Sequence, residues 1–282
     1  MQVIKTVEAL QQILQEYRYA SKKIGFVPTM GALHEGHLSL IQKAGTENDI
    51  VVASIFVNPT QFNNPEDLDR YPRTPKQDID RLKASACSIV FLPEVDTIYP
   101  ANFRAPSVDL GLLDKVMEGK HRPGHFQGVV TVVSRLFEIV QPTNAYFGRK
   151  DFQQVAVIKA MTKALAIPVN IIECPTLRDE RGLALSSRNL LLTKEDIHTA
   201  YHIYETLEYG KKIVAQHTPS EVKLLMTNNF MGSKMELEYI EIVDPISLKE
   251  LTSEWVEGAT ACIVAYCGNI RLIDNLELVP YR

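Results

Sequence analysis

Hydrophobic and polar positions alternate between two kinds of segment over the first 176 residues of the chain. Short apolar runs end in turn-forming or polar residues, and between them apolar residues recur at helical spacing. The apolar runs are 22–28, 49–57, 88–92, 145–147 and 169–174, and the helical patterns are 6–19, 37–44, 76–85, 129–140 and 152–165. Wholly apolar strands that alternate with helices are typical of a parallel sheet covered on both faces. This part of the chain is therefore predicted to form a Rossmann-like, doubly wound α/β domain.

The pattern changes after about residue 176. Two helical segments, 194–216 and 221–230, precede a segment at 235–243 in which apolar and polar residues alternate as in a half-exposed strand. Two further segments, 259–265 and 270–278, complete a predicted antiparallel group. We therefore expect two domains, 1–176 and a smaller α+β domain of 177–282, with the second forming a lid over a site on the first.

Composition restricts the kinds of partner that the chain is expected to bind. The 282 residues include 45% hydrophobic and 23% charged residues, which is the balance of an ordinary globular protein. The net charge of -4 argues against a surface built for nucleic acid or anionic lipid. The longest apolar run, 50–57, is far shorter than the roughly 20 residues of a membrane helix.

Two further features concern compartment and cysteine chemistry. Polar residues occupy the segment where a signal peptide would be apolar, which predicts a cytoplasmic protein. The four cysteines lie in apolar stretches without a CxxC pair, so we expect them to be small core residues.

The first candidate site follows the strand at 22–28, where His34 and His37 precede an apolar helix. One interpretation is that the two histidines are polar surface residues without a function. A second is a zinc site, but the segment lacks a third ligand and the HExxH spacing of zinc hydrolases. Its position favours a third interpretation, since Gly31 and Gly36 allow close backbone approach and the amides that open a helix attract anions. We expect phosphate here, with both imidazoles acting largely as neutral N–H donors.

Three more polar segments are predicted near strand ends. Asn58 is interpreted either as the start of a turn or as a functional residue, whereas Gln61 offers a carboxamide that holds a carboxylate without neutralising it. Lys150 is expected to contact phosphate, and Asp151 is either a site residue or a helix N-cap. The segment 185–189 is predicted to be a movable phosphate clamp, although a solvated linker has similar composition.

Five motifs, in this order along nearly the whole chain, resemble those of the pantoate-β-alanine ligase family. They are PTMGALHEGH, FVNPTQF, GHFQGVVTVV, FGRKDFQQ and LSSRN. The wider group is the nucleotidyltransferases with an HxGH motif and a later serine and basic loop. The departures are small: Leu185 stands where methionine is frequent, and Gln127 stands where a basic residue is often seen.

The resemblance implies ATP-dependent condensation of (R)-pantoate with β-alanine through a pantoyl-adenylate, with release of AMP and pyrophosphate. It also implies Mg²⁺, whose ligands are left unassigned, and a homodimer. The residues implied to bind ATP are Met30, Gly31, Ala32, Leu33, His34, Glu35, Gly36, His37, Gly148, Arg149, Lys150, Asp151, Leu177, Leu185, Ser186, Ser187 and Arg188.

The resemblance assigns further roles to some of these positions and to two glutamines. His34, His37, Lys150 and Arg188 would be catalytic, with His37 as the proton donor. Gln61 and Gln154 would bind pantoate, and Gln61 would also lie at the β-alanine position. The loop that contains Arg122 and His125 is expected to have a supporting role at the same site.

Two other functions are compatible with the same residues. One is another adenylate-forming ligase or nucleotidyltransferase that uses a different acid or amine. The other is a nucleotide-binding module without turnover. Several separate loops directed at one site favour an enzyme, because simple binding of phosphate needs only one such loop.

Overall fold

Six parallel strands form the main sheet of the molecule. The computed structural model describes residues 1–279, so the last three residues of the predicted second domain lie outside the described part. The strands are β1 (Gln2–Ile4), β2 (Ile24–Thr29), β3 (Ile50–Ile55), β4 (Ile89–Phe91), β5 (Asn144–Gly148) and β6 (Asn170–Cys174). Their order across the sheet is β1-β4-β3-β2-β5-β6, and every pairing is parallel. The predicted Rossmann-like α/β sheet is confirmed.

Helices cover both faces of this sheet. The helices of this part of the chain are α1 (Val7–Tyr19), α2 (Glu35–Glu47), α3 (Pro65–Arg70), α4 (Pro75–Lys83), α5 (Val95–Ile98), α6 (Met117–His121), α7 (His125–Val140) and α8 (Phe152–Ala164). One core joins strand residues such as Phe26 and Phe91 to α1, α7 and α8, and a second core joins Val27 and Val90 to α2 and α4. Because neighbouring strand residues point to opposite faces, wholly apolar strands feed both cores at once.

The strand order reverses direction between β2 and β5. The chain moves outward from β2 through β3 to β4, and β5 and β6 then add on the other side of β2. In open parallel sheets, ligands bind beyond the carboxyl ends of the strands at such a reversal. The segments that follow β2 and β5 are those that contain His34, His37 and Lys150.

A second sheet of three antiparallel strands lies in the C-terminal part of the described chain. It consists of β7 (Glu236–Val243), β8 (Thr260–Cys267) and β9 (Ile270–Glu277), in that order. Two helices, α9 (Lys194–Ile213) and α10 (Pro219–Phe230), share its apolar core. The predicted antiparallel group is confirmed.

Three of the short elements are not predicted from the spacing of apolar residues in the sequence. Strand β1 has three residues, and α3 and α6 have six and five. Residues 1–279 also contain four short 3₁₀ helices, at Pro59–Gln61, Arg149–Asp151, Ser187–Leu191 and Val214–Gln216. Such segments are shorter than the windows over which periodicity is measured.

Two simple expectations from composition are also met by the described residues. All four cysteines are buried and unpaired. Among residues 1–279, none of the helices combines the length and apolar character needed to cross a membrane.

Candidate active site

Two adjoining cavities lie where the main sheet reverses, with volumes of about 200 and 610 Å³. The smaller lies against the loops after β2 and β5, and the larger extends toward the C-terminal sheet. The residues that line both cavities are Met30, Gln61, Lys150, Asp151, Gln154, Ser186 and Arg188. All four segments singled out in the sequence therefore contribute to one shared wall.

Most of the residues implied to bind ATP also line the smaller cavity. Besides the shared residues, these are His34, Gly36, His37, Gly148, Leu177, Leu185 and Ser187. Five others are not among the residues around either cavity: Gly31, Ala32, Leu33, Glu35 and Arg149. Their assignment to ATP stays a prediction.

The loop after β2 is held in shape by Asp78, a residue of α4. Its side chain is 1% exposed and accepts hydrogen bonds from the amides of Ala32 at 3.0 Å and Leu33 at 2.8 Å. Gly31 has a φ of +79°, a left-handed conformation that glycine adopts at little cost. Because the amides of Ala32 and Leu33 donate to Asp78, their role in this structure is to hold the shape of the loop.

His34 is the N-cap residue of α2, and His37 lies in the first turn of that helix. The amide of His34 donates to Nδ1 of His37 at 3.4 Å, and the amide of Gly36 donates to Nδ1 of His34 at 3.2 Å. An Nδ1 atom that accepts a hydrogen bond carries no proton, so the proton of each neutral ring is on Nε2. The capping contacts therefore select the tautomer of both rings.

Burial keeps both rings neutral. Burial, followed by the charge of Lys150, lowers the pKa of His34 to about 4. Burial and the neighbouring His34 and Lys150 hold the pKa of His37 well below its ordinary value. Both side chains are thus N–H donors at neutral pH, which agrees with the expectation from the sequence. The amides of His34 and Gly36 are occupied by the rings, which the sequence did not indicate.

Asn58 and Gln61 form a buried polar pair after β3. Asn58 caps the 3₁₀ helix Pro59–Gln61, so its interpretation as a turn residue is correct. Its Nδ2 atom also donates to Oε1 of Gln61 at 3.1 Å, and Tyr99 donates to its Oδ1 at 2.8 Å. The carboxamide of Gln61, whose residue is 8% exposed, is held at the wall of both cavities by these contacts.

The backbone of the same turn is packed against α7. A Cβ atom added at Gly128 would lie 2.4 Å from the oxygen of Thr60 and 2.7 Å from Cα of Gln61. Such distances are too short for any side chain, so only glycine permits this contact. Nδ1 of His125 lies 2.8 Å from the backbone oxygen of Gln61. The glycine and histidine of the motif GHFQG therefore position the turn that contains Gln61.

Lys150 lies in a 3₁₀ turn after β5 that the C-terminal sheet supports. Nδ2 of Asn275 donates to the backbone oxygens of Arg149 at 3.0 Å and Lys150 at 2.8 Å. The side chain of Arg149 pairs with Glu277 at 2.6 Å. Strand β9 therefore supports the turn that contains Lys150, a contact that no local pattern in the sequence indicates.

Asp151 does not act as a side-chain N-cap. It occupies the N-cap position of α8, but in the described chain its carboxylate makes no capping hydrogen bond. Instead, one carboxylate oxygen lies 3.7 Å from Nζ of Lys150. The alternative interpretation of Asp151 as a helix cap is thus wrong, and its carboxylate lines both cavities.

The loop at 185–189 packs on the main sheet's loops. Oγ of Ser187 donates to the backbone oxygen of Ala32 at 3.1 Å, and Ser187 is 6% exposed. Arg188 pairs with Asp67 of α3 at 2.8 Å and lies over the ring of Tyr71 at 5.7 Å. These contacts contradict the interpretation of this loop as a solvated linker.

A network of charged residues, missed in the sequence, joins α6 to the C-terminal sheet at the rim of the larger cavity. Arg271 donates two hydrogen bonds of 2.7 Å to the carboxylate of Glu118, and Tyr239 donates a third at 2.9 Å. Arg271 also pairs with Glu238. Burial alone would raise the pKa of Glu118, but its hydrogen bonds and ion pair with Arg271 lower it to about 2.

The arrangement fits chemistry on an anionic, phosphate-bearing substrate. The cavity wall combines two neutral imidazole donors, two carboxamides and the cations Lys150 and Arg188. Preorganised donors and cations of this kind stabilise charge on a transferring phosphoryl group. Fold and site together define an α/β nucleotide-dependent enzyme.

Comparison with known proteins identifies the family. The family model described as pantoate-beta-alanine ligase matches residues 2–277. A pantothenate synthetase of Porphyromonas gingivalis is 48% identical over 280 residues, which are 98% of this chain and 99% of that protein. One of Thermodesulfovibrio yellowstonii is 45% identical over 279 residues, with the same coverage.

Solved structures agree with the sequence relatives. A crystal structure of pantoate-beta-alanine ligase (pantothenate synthetase) from Thermus thermophilus is 41% identical with a TM-score of 0.94, covering 99% of this chain and 100% of that one. The ligase of Francisella tularensis, complexed with beta-gamma ATP and beta-alanine, is 40% identical with a TM-score of 0.81, covering 99% and 98%. The chain belongs to the pantoate-beta-alanine ligase family, whose activity is the ATP-dependent joining of pantoate to β-alanine. The predicted family and ligase function are confirmed.

Proposed function

We propose that the chain forms pantothenate in two steps within the two adjoining cavities. The observation that carries this proposal is their shared wall, where residues from the loops after β3 and β5 meet the loop at 185–189. A nucleotide in the smaller cavity and an amine in the larger one would meet at this wall. The complex of the Francisella tularensis ligase with beta-gamma ATP and beta-alanine supports the use of both ligands.

In the first step, a carboxylate oxygen of (R)-pantoate forms a bond to the α-phosphorus of ATP, and the bond from that phosphorus to pyrophosphate breaks. In the second step, the amine of β-alanine forms a C–N bond with the acyl carbon. The C–O bond to AMP then breaks with its electron pair on AMP, and the amine loses one proton to solvent. AMP is a much better leaving group than oxide, so activation makes the amide bond accessible.

Charge repulsion is the main obstacle to the first step. A carboxylate about 4 Å from one phosphate charge is repelled by about 4 kcal/mol at an effective dielectric near 20. Lys150 and Arg188 would offset this repulsion, while Nε2–H of His34 and His37 would donate to oxygens where charge increases. Gln61 and Gln154 would bind pantoate without neutralising its carboxylate, so it stays nucleophilic.

The role of His37 as proton donor is refined by its tautomer. A neutral ring whose pKa lies well below its ordinary value supplies a hydrogen bond from Nε2–H at neutral pH. We therefore assign His37, like His34, to hydrogen-bond donation. Full proton transfer is not required by the reaction as written, because neither pyrophosphate nor AMP must leave as a neutral group.

Mg²⁺ fits this site as a partner of ATP. Residues 1–279 contain no group of three His, Cys, Asp or Glu side chains that could hold a metal ion. Mg²⁺ in such sites is commonly bound by substrate phosphates, water and one or two carboxylates. Asp151 is the carboxylate at the shared wall that would complete such a set. When bound, the ion would neutralise charge on the triphosphate.

The larger organisation follows from the same arrangement. We assign 1–176 to nucleotide and pantoate binding and 177–282 to a lid, because the loop at 185–189 and strand β9 lie against the site from the C-terminal side. We also propose a cytoplasmic location and a homodimer, of which the family resemblance implies the second.

Pantoate-dependent exchange of labelled pyrophosphate into ATP tests the function most economically. The proposal requires rapid exchange with (R)-pantoate and ATP in the absence of β-alanine, and pantothenate formation once β-alanine is added. Exchange with a different carboxylic acid alone would indicate another adenylate-forming ligase. If no acid supports exchange, the chain is a nucleotide-binding module and the proposal is wrong.

A further inference from the structure

His125 presents an unused ring nitrogen near the larger cavity. The residue is 6% exposed and lines that cavity, and its Nδ1 lies 2.8 Å from the backbone oxygen of Gln61. A carbonyl oxygen only accepts hydrogen bonds, so Nδ1 carries the ring proton and Nε2 keeps its lone pair. Among residues 1–279, Nε2 of His125 has no hydrogen-bond partner. This is the reverse of the tautomer at His34 and His37.

The surroundings keep this nitrogen an acceptor. Burial, followed by the charge of Arg122, lowers the pKa of His125 to about 4, so the ring is neutral at neutral pH. Arg122, Lys150 and Gln154 line the same cavity and are donors. Asp67, Asp151 and Glu238 line it as negatively charged acceptors, whereas Nε2 of His125 is an uncharged acceptor. A ligand that pairs with Nε2 must bring an N–H or O–H bond.

The amine of β-alanine meets this requirement. An attacking amine must keep its lone pair free for the acyl carbon, so its N–H bonds are the part that the protein has to hold. The hydroxyl groups of pantoate and the donors of ATP are the alternatives. The carboxamide oxygens of Gln61 and Gln154 would serve pantoate, and the smaller cavity, where we place the nucleotide, is not lined by His125. An imidazole without a proton on Nε2 accepts from an amine N–H and, unlike a carboxylate, adds no negative charge beside the phosphate of the pantoyl-adenylate.

We propose that His125 binds β-alanine: its Nε2 accepts a hydrogen bond from one amine N–H and directs the amine lone pair toward the acyl carbon of the pantoyl-adenylate. This inference rests on the proposed function, since it presupposes that an adenylate forms and is attacked by an amine. It gives His125 two separate tasks, with Nδ1 supporting the turn at Gln61 and Nε2 holding the second substrate.

Two substitutions separate these tasks. In His125→Asn, the amide nitrogen takes the place of Nδ1, so the bond to Gln61 is retained and the acceptor at Nε2 is lost. In His125→Gln, the longer side chain places its oxygen near the Nε2 position and the Nδ1 donor is lost. Pantoate-dependent pyrophosphate exchange reports the first step, and pantothenate formation at varied β-alanine concentration reports the second.

For His125→Asn we expect exchange to stay within about threefold of the unmodified protein, while kcat/KM for β-alanine falls about 10- to 30-fold. For His125→Gln we expect a smaller loss in kcat/KM for β-alanine and a higher KM for pantoate in exchange. Gln127→Ala, an exposed change two residues along α7, is the control and should alter neither reaction.

Three results would overturn the proposal: equal loss of both steps in His125→Asn, a higher pantoate KM in that variant's exchange, or unchanged β-alanine kinetics. Circular dichroism establishes that each variant is folded. If His125→Asn does not fold, His125→Gln alone tests the proposal. A loss in kcat/KM for β-alanine that equals or exceeds the loss for pantoate in His125→Gln would contradict it. Absence of exchange in the unmodified protein would instead contradict the proposed function.

Discussion

The two regions that meet at the cavities, the loop after β2 and the C-terminal strand β9, differ in the charge of their side chains. In the loop after β2, His34 and His37 are neutral, and backbone amides hold their rings. On the C-terminal side, two charged residues of β9 pair with the first part of the chain, Arg271 with Glu118 and Glu277 with Arg149.

The difference shows how few free charges act on the substrates. Arg149, Arg122 and Arg271 are cations near the site, yet carboxylates of the protein pair with all three. Lys150, whose carboxylate neighbour is 3.7 Å away, is less tightly paired. Arg188 also lines both cavities but pairs with Asp67 at 2.8 Å, which leaves Lys150 as the less restrained of the two. The central claim is therefore that neutral donors and a few cations perform the adenylation, while the other ion pairs hold the two parts of the chain together.

Removing the lysine should produce the largest effect on activity. For Lys150→Ala we expect the overall rate to fall about 10²- to 10³-fold, the loss typical when one preorganised donor to a developing charge is removed. Amide formation from supplied pantoyl-adenylate should fall much less, because that step transfers no phosphoryl group. Lys159→Ala, which changes an exposed lysine of α8 paired with Glu173, is the control. Equal loss of both steps in Lys150→Ala would contradict this division.

Neutralising the buried carboxylate should mainly reduce stability. For Glu118→Gln we expect a loss of about 3 kcal/mol in the free energy of unfolding near neutral pH, because Arg271 loses its bidentate partner. Urea unfolding measures the loss. The exposed pair of Glu66 with Arg70 is the control, and Glu66→Gln should cost no more than about 1 kcal/mol.

The same variant has a pH dependence of known sign. The pKa of Glu118 lies at about 2 in the folded chain, below its ordinary value of 4.5. A carboxyl group with a lowered pKa stabilises the fold above its ordinary pKa and loses that contribution as pH falls toward the folded value. The difference between the two proteins should thus be full above pH 4.5 and shrink as pH falls toward 2. A difference that grows on acidification would contradict the pairing.

Loosening the support of the lysine loop should have a moderate effect. For Asn275→Ala we expect adenylation to slow about tenfold, because two hydrogen bonds to the backbone of Arg149 and Lys150 are lost. Initial rates of pyrophosphate exchange measure this effect. The control is Asn170→Ala, which removes one exposed side-chain contact to Asn144. Unchanged exchange in Asn275→Ala would show that β9 does not position the lysine.

The parts of the molecule that local pattern determines were predictable from sequence. Strands apolar throughout specify a sheet with two covered faces, and their ends locate the loops of His34, Gln61 and Lys150. The support of those loops was not predictable. Asp78 binds amides 45 and 46 residues away, and Glu118 pairs with a residue 153 positions along the chain. Such partners are set by tertiary packing and leave no periodic signal.

The smallest expected effect concerns acid titration of the site. Because burial holds the pKa of His34 at about 4 and that of His37 well below its ordinary value, neither ring should contribute an ionisation near 6.5 to the exchange rate. Rates between about pH 5.5 and 8 should therefore be insensitive to these two rings. A fall in exchange with a midpoint near 6.5 that disappears in a His34→Asn variant would indicate a titrating ring.

Nitrogen-15 NMR of the histidine rings tests the central claim most directly. Assigned long-range proton–nitrogen correlations report, for each ring, which nitrogen carries the proton and whether both do. We predict that His34 and His37 are neutral with protonated Nε2 and unprotonated Nδ1 throughout about pH 5.5 to 8. Doubly protonated rings in that range, or rings protonated on Nδ1, would contradict the claim that backbone-held neutral donors face the reacting phosphates.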